Sequence, residues 1–263
     1  MSSALARSRK ARAGTDWICE LVFRPLAHLV VLALAPLRVP PPAVVLASGV
    51  AGIAGAVELA RGHLVVAALL VQLKTILDNA DGQLARLTGR VTAFGRYLDS
   101  EMDLVVDAAL FAGLGWWSGN AAAALVGFLA LTTVLNVNFN VERLYRGGGP
   151  ASPDGPGRPT AALRRVYALL YAPQDRLVER YAEWRLRGRS EAERAAWHDR
   201  GTVAVLANLG MSPQLVVLGA LTAAGHPLVY VWVVLAQLGL VAALALRREA
   251  LVRGSFTREQ EVT

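Results

Sequence analysis

The sequence predicts an all-α membrane protein: six transmembrane helices in an antiparallel bundle, preceded by an amphipathic helix at the membrane interface. Three observations predict it. Of the 263 residues, 54% are hydrophobic and 18% charged, against about 25% charged in a typical soluble domain, and the mean hydropathy is +0.40. The apolar residues fall in blocks of the length a helix needs to cross about 30 Å of hydrocarbon. The breaks at 61–63, 118–120 and 225–226 leave room only for a reversal of direction between neighbouring helices.

Residues 1–15 are basic, small and polar, the composition of a disordered cytoplasmic tail. No short apolar stretch with a small-residue cleavage site follows, so no cleavable signal is expected. Residues 16–38 mix Trp17, Phe23 and several leucines with Asp16, Glu20, Arg24 and His28. That is the pattern of a helix lying in the interface, ended by Pro36 and the run Pro40, Pro41 and Pro42. Residues 25–37 are too few to cross a bilayer.

Six spans follow, at 43–60, 64–86, 95–117, 121–141, 203–224 and 227–246. The third ends at Trp116 and Trp117, an aromatic pair suited to the membrane–water boundary. Pro213 should kink the fifth. Between the fourth and fifth lies a cytoplasmic amphipathic insertion, 142–202. It opens with a loop rich in Gly and Pro that runs to Pro159, then becomes helical over 161–198. There Leu163, Val166, Leu169 and Leu170 oppose Arg164 and Arg165, a basic face attracted to anionic lipid. Trp184 and Trp197 are further interface residues. The membrane domain covers 16–247, and 248–263 form a C-terminal cytoplasmic tail.

The net charge is +7, and its distribution orients the bundle. The three short loops hold only Arg61, while the N-terminal tail, Arg86, Arg90, the 142–202 segment and the residues from Arg247 are rich in arginine. Positive charge collects on the cytoplasmic side, so both termini are expected there. With the arginines assigned to the membrane face, no nucleic-acid partner is expected. Cys19 is the lone cysteine, which excludes an intrachain disulfide and a two-cysteine metal site.

Charged groups inside spans are costly and mark function. Asp78 and Asp81, at the cytoplasmic end of the second span, are three apart and share a helix face. Gly82 and Ala85 lie beside them and remove side-chain bulk, so a substrate can approach the backbone. Gly95, Asp99, Asp103 and Asp107 follow at four-residue intervals and make one stripe on the third span. A short antiparallel turn sets the two groups opposite each other. Four carboxylates in one pocket cannot all stay ionised without cations. An all-oxygen donor set, with no paired histidine or cysteine, indicates Mg²⁺ or Mn²⁺. Such ions serve phosphate and pyrophosphate chemistry.

Asp78, Asp81, Gly82, Ala85, Arg86, Gly95, Asp99 and Asp103 agree with every fixed position and both internal gaps of D-x2-D-G-x2-A-R-x8-G-x3-D-x3-D. In this the chain resembles the CDP-alcohol phosphotransferase family, and the six-span layout and interfacial helix extend the likeness over most of its length. The resemblance implies a phosphatidyltransferase-type enzyme that moves a substituted phosphate from a CDP-alcohol, such as CDP-diacylglycerol, to an acceptor alcohol with release of CMP. It implies that Asp78, Asp81, Asp99 and Asp103 hold two Mg²⁺ or Mn²⁺ ions and that Asp103 is also the general base. The nucleotide falls to Asp78, Asp81, Gly82, Ala85, Arg86 and Gly95. Family members are commonly homodimers. Lys74, Arg143 and Arg146, at the cytoplasmic face, are candidates to hold an acceptor phosphate. Asp107, one turn beyond the motif, is expected to bond a neighbouring helix instead of substrate.

The chain departs from the family where Pro41-Pro42-Ala43-Val44-Val45-Leu46 replaces a polar string at the first span, and at Asn138-Phe139-Asn140-Val141-Glu142-Arg143 after the fourth. Two other readings fit intramembrane aspartates. A Mg²⁺-dependent prenyltransferase would carry more spans and two separated aspartate-rich motifs. A cation transporter would have no need of Gly82, Ala85 and Gly95 and would place its carboxylates at mid-depth.

Overall fold

The computed structural model describes residues 14–148 and 161–262, and every regular element among them is helical. A π-helical turn, Cys19–Phe23, leads into α1, Arg24–Leu34. There follow α2 (Pro41–Ala60), α3 (Leu64–Leu87), α4 (Ala93–Ser118) and α5 (Ala121–Tyr145). The insertion forms α6 (Ala161–Leu170), α7 (Ala172–Leu186) and α8 (Glu191–Trp197), and α9 (Arg200–Ala207), α10 (Met211–Ala223) and α11 (Val229–Val262) complete the chain. Residues 1–13 of the expected N-terminal tail, and 149–160 of the Gly/Pro loop, lie outside the described residues.

Four helical stretches are long and apolar enough to cross a membrane: Pro41–Ala60, Ala121–Tyr145, Glu191–Ala223 and Val229–Gly254. The sequence predicts six. The two that fall short by composition are α3 and α4, and the reason is physical. α3 carries Lys74, Asp78 and Asp81 within its apolar length, and α4 carries Glu101, Asp103 and Asp107. Those charges lower the hydropathy of the two helices that bear the candidate site.

Local sequence sets the helix ends. Pro40 is extended, and Pro41 and Pro42 open α2, where an absent N–H costs nothing. The α3–α4 turn closes on Gly89, at φ +66°. Arg90 N–H donates to the Ala85 carbonyl (2.8 Å) and Gly89 N–H to that of Arg86 (3.3 Å), a Schellman closure. The Thr92 hydroxyl then caps α4 by accepting from Gly95 N–H at 3.1 Å. This five-residue turn reverses the chain between the two aspartate-bearing helices.

Packing centres on α2, which lies closely against both α3 and α4. Its small residues permit this: a Cβ at Gly52 would stand 2.5 Å from Val106 on α4 and 3.2 Å from Lys74 on α3. The main core joins Leu59, Val71, Val106, Leu114, Val134 and Leu215. α10 packs on α3, and α11 on α5. α1 buries Ala27 and Val31 against Ala80 and Leu84 of α3, while its Leu29 and Leu32, and Leu21 of the preceding turn, are exposed.

Three sequence expectations shift. The expected fifth span is two helices, interrupted at Asn208–Gly210 before Pro213, which sits in the first turn of α10 and starts a helix where a kink was expected. The N-terminal segment is anchored already at Gly14 and Thr15: Asn208 Nδ2 donates to the Thr15 carbonyl (3.0 Å), and Trp17 N–H donates to Asn208 Oδ1 (3.3 Å). α11 passes through the expected boundary at 247 as one helix, with Arg248 stacked over Trp197 of α8 and Val252 buried.

Candidate active site

Asp78 projects from α3, and Asp99 and Asp103 from α4. Carboxylate oxygens of the three lie within 4.8 Å of one another. The pairing follows from helical spacing on both sides of the turn. Asp81 stands outside this group, 5% exposed, its Oδ2 buried with no hydrogen-bond partner among the described residues. Asp107, one turn beyond Asp103, is buried at 3% exposure.

Lys74, expected at the cytoplasmic face as an acceptor ligand, is 1% exposed inside the aspartate group. Its ammonium donates to Asp78 at 2.7 Å and to Asp103 at 2.5 Å. The signal was available, because Lys74 and Asp78 are four apart on one helix. α2 backs it: Ser48 Oγ donates to the Lys74 carbonyl at 3.3 Å, and Gly52 leaves room for its stem.

Arg143 and Arg146 are engaged with carboxylates. Arg143 pairs with Glu179 at 2.7 Å and donates to Asn140 Oδ1 at 2.9 Å, and Arg146 pairs with Glu142 at 2.6 Å. Arg86 folds its guanidinium back over Gly82, whose missing Cβ would stand 3.1 Å from it. Ala85 is half-buried beside them. Behind Asp78, Asn79 ties three segments together: it accepts from the Cys19 thiol at 3.0 Å and donates to the Thr75 carbonyl (2.9 Å) and Ser212 Oγ (3.2 Å).

Residues that sequence reasoning did not single out also border the site. The Tyr171 hydroxyl donates to the carbonyl of Ser100, next to Asp99, at 2.8 Å. Burial first, then the carboxylates of Asp103, Glu101, Asp107 and Asp99, hold its phenol well above the ordinary range. Tyr171 is therefore a donor throughout the physiological range.

The residues fit a divalent cation. The donors are all carboxylate oxygens, three already converge, and Asp81 keeps an unbonded oxygen in the interior. The Lys74 ammonium balances only part of this charge, which leaves a site suited to hard cations and the phosphate oxygens they bind.

The chain matches the family model described as CDP-alcohol phosphatidyltransferase over residues 31–186. It is 33% identical over 136 residues to the phosphatidylinositol phosphate synthase of Corynebacterium glutamicum, covering 51% of this chain and 59% of that protein. It is 35% identical over 91 residues to the phosphatidylinositol phosphate synthase of Mycobacteroides abscessus, covering 33% of this chain and 41% of that protein. It is 37% identical over 89 residues to a bifunctional IPC transferase and DIPP synthase of Rubrobacter xylanophilus, covering 34% of this chain and 20% of that protein. In each case the matched stretch spans less than two thirds of the relative.

Proposed function

The chain belongs to the CDP-alcohol phosphatidyltransferase family, and we propose that it transfers a substituted phosphate from a CDP-alcohol to an acceptor alcohol, releasing CMP. The observation that carries this reading is the convergence of Asp78, Asp99 and Asp103 within 4.8 Å at the motif spacing. Relatives named phosphatidylinositol phosphate synthase favour a phosphatidyl group as the part transferred, the group that CDP-diacylglycerol would supply.

Asp78, Asp81, Asp99 and Asp103 would hold two Mg²⁺ or Mn²⁺ ions, which when bound neutralise pyrophosphate oxygens and ease departure of the nucleotide. Asp103 takes the proton from the acceptor hydroxyl. The acceptor oxygen bonds to the β-phosphorus as the bond to the bridging oxygen breaks, and CMP leaves with that electron pair. Gly82 and Ala85 keep the face beside Asp78 and Asp81 low, so the nucleotide can lie against the helix. Gly95 leaves the first turn of α4 open in the same way. Arg86, at the mouth, offers a fixed positive charge to a phosphate.

This reading includes six crossings, with α3 and α4 spanning alongside the four apolar stretches, and with α1 lying in the interface. Polar residues facing a protein interior are compatible with a span. The site then opens at the cytoplasmic face, and the family likeness carries a homodimer with it.

Supplied with an acceptor alcohol, purified protein should release CMP from CDP-diacylglycerol only with a divalent ion present. Asp78→Asn, Asp81→Asn and Asp99→Asn should each abolish turnover while the protein still inserts and folds, since apolar contacts hold the bundle. Near-normal turnover in any two of the three would reject the assignment.

A further inference from the structure

The insertion does more than present basic residues to lipid, because three attachments fix it against the site. The first is a buried polar hub. Asp175 of α7 is 3% exposed. Its Oδ1 accepts from Asn140 Nδ2 at 2.8 Å and Asn136 Nδ2 at 3.2 Å, both on α5, and its Oδ2 accepts from the Tyr167 hydroxyl at 2.7 Å. The second is the Arg143–Glu179 ion pair between α5 and α7. The third is an aromatic ladder: Tyr97 of α4 meets Tyr167 of α6 edge to face, and Tyr167 stacks on Tyr171, each pair at 5.4 Å between centroids.

Attraction to anionic lipid would account for exposed arginines on α7. It does not account for a carboxylate buried on a cytoplasmic helix, which is costly unless its oxygens are bonded. Here they are bonded, by groups from two other helices. What these attachments place is Tyr171, at the end of the ladder, where its hydroxyl reaches the Ser100 carbonyl. Ser100 lies in the single turn between Asp99 and Asp103. A bond from outside α4 to that carbonyl limits rotation of the turn, and so fixes the directions in which both aspartates leave it.

Resting on the reading of the aspartates as a divalent-metal site, we infer that Tyr171 is a positioning residue for that site, holding the Asp99–Asp103 turn through the Ser100 carbonyl while the Asp175 hub holds Tyr171. Residues 161–186 are then a working wall of the active site. Groups that orient metal ligands from outside typically contribute about 10- to 100-fold in affinity. Tyr171 acts through backbone, one step further out, so the low end of that range applies.

The test is Mn²⁺ binding to the purified full-length protein without substrate, followed by the spectroscopic signal of free Mn²⁺, with CMP release measured over the same Mn²⁺ series. Tyr171→Phe should weaken Mn²⁺ binding about tenfold and move the half-saturating Mn²⁺ for turnover by the same factor, with the melting temperature unchanged. Asp175→Asn should shift both in the same direction. The double variant should add nothing to Tyr171→Phe, because the hub acts through the tyrosine. Wild-type Mn²⁺ affinity in Tyr171→Phe overturns the inference alone. A wild-type protein that binds no Mn²⁺ overturns the metal reading and the inference with it. Should Tyr171→Phe fail to fold, Asp175→Asn carries the same two outcomes.

Discussion

Lys74 offsets part of the aspartate cluster's charge before any cation binds. Its ammonium, inside the protein, is shared between Asp78 on α3 and Asp103 on α4. Removing one partner of a buried ion pair strands the other charges and costs about 3 kcal/mol. Lys74→Met should therefore melt earlier than wild type without metal, and gain more than wild type when Mg²⁺ or Mn²⁺ is added. Equal melting of the two metal-free proteins would show that Lys74 is not what balances the cluster. Asp103 and Asp107 separate at the same scale. Asp103 is in the converging group, whereas Asp107 is one turn, about 6 Å, further along the axis and buried. Asp103→Asn should lower the turnover number by several orders of magnitude with donor affinity largely kept, and Asp107→Asn by at most about tenfold. Equal losses would mean that the base is misassigned or that the pair works as a unit. The aspartates were legible because four-residue spacing fixes a helix face without knowledge of the fold. Lys74 was legible by the same rule through Asp78, but helical spacing does not say which groups of other helices its ammonium meets, and that is decided by tertiary packing against Ser48 and Gly52.

At the scale of elements, the turns were easier to read than the docked insertion. Gly89, Thr92, Gly119 and Asn120 are local signals, and each closes or caps a helix where it stands. The break at Asn208–Gly210 has a weaker local signal, and Pro213 drew attention to a position three residues late. What decides the break is a long-range partner: Asn208 cross-links Thr15 and Trp17 of the N-terminal segment to α9. Asn208→Leu removes these bonds while keeping bulk. It should cost about 1–2 kcal/mol and open residues 14–17 to proteolysis in the folded protein, whereas unchanged protection would place the anchor elsewhere. The attachment of α6 and α7 could not be read from sequence for the same reason. Asp175, Asn136 and Asn140 look like ordinary polar residues of separate helices, and their meaning lies in a contact between them.

At the scale of the whole molecule, the position of the site relative to the membrane rests on which faces meet lipid. Large apolar side chains are exposed along the bundle, with Val50 68%, Leu69 66% and Trp232 68% exposed on three different helices. In water this surface would drive aggregation, and in a bilayer it is solvated by acyl chains. Leu69 belongs to α3, one of the two helices too charged to qualify by hydropathy, and it faces outward while Lys74 and Asp81 face inward. α3 thus divides its surface as a span does when it lines a polar site, which favours six crossings over four. The proposed six crossings, with arginine-rich segments on one side, would put 61–63, 118–120 and 225–226 outside and the insertion inside. Single cysteines in a Cys19→Ser background test this, and the background is mild because Ser can keep the bond to Asn79. His226→Cys should react with an impermeant reagent added to intact cells, and Arg187→Cys, at the exposed end of α7, should react only after permeabilisation. Reaction of Arg187→Cys from outside would invert the bundle. It would also carry the mouth of the aspartate site away from the cytoplasm, where CDP-activated donors would have to reach it from the opposite face.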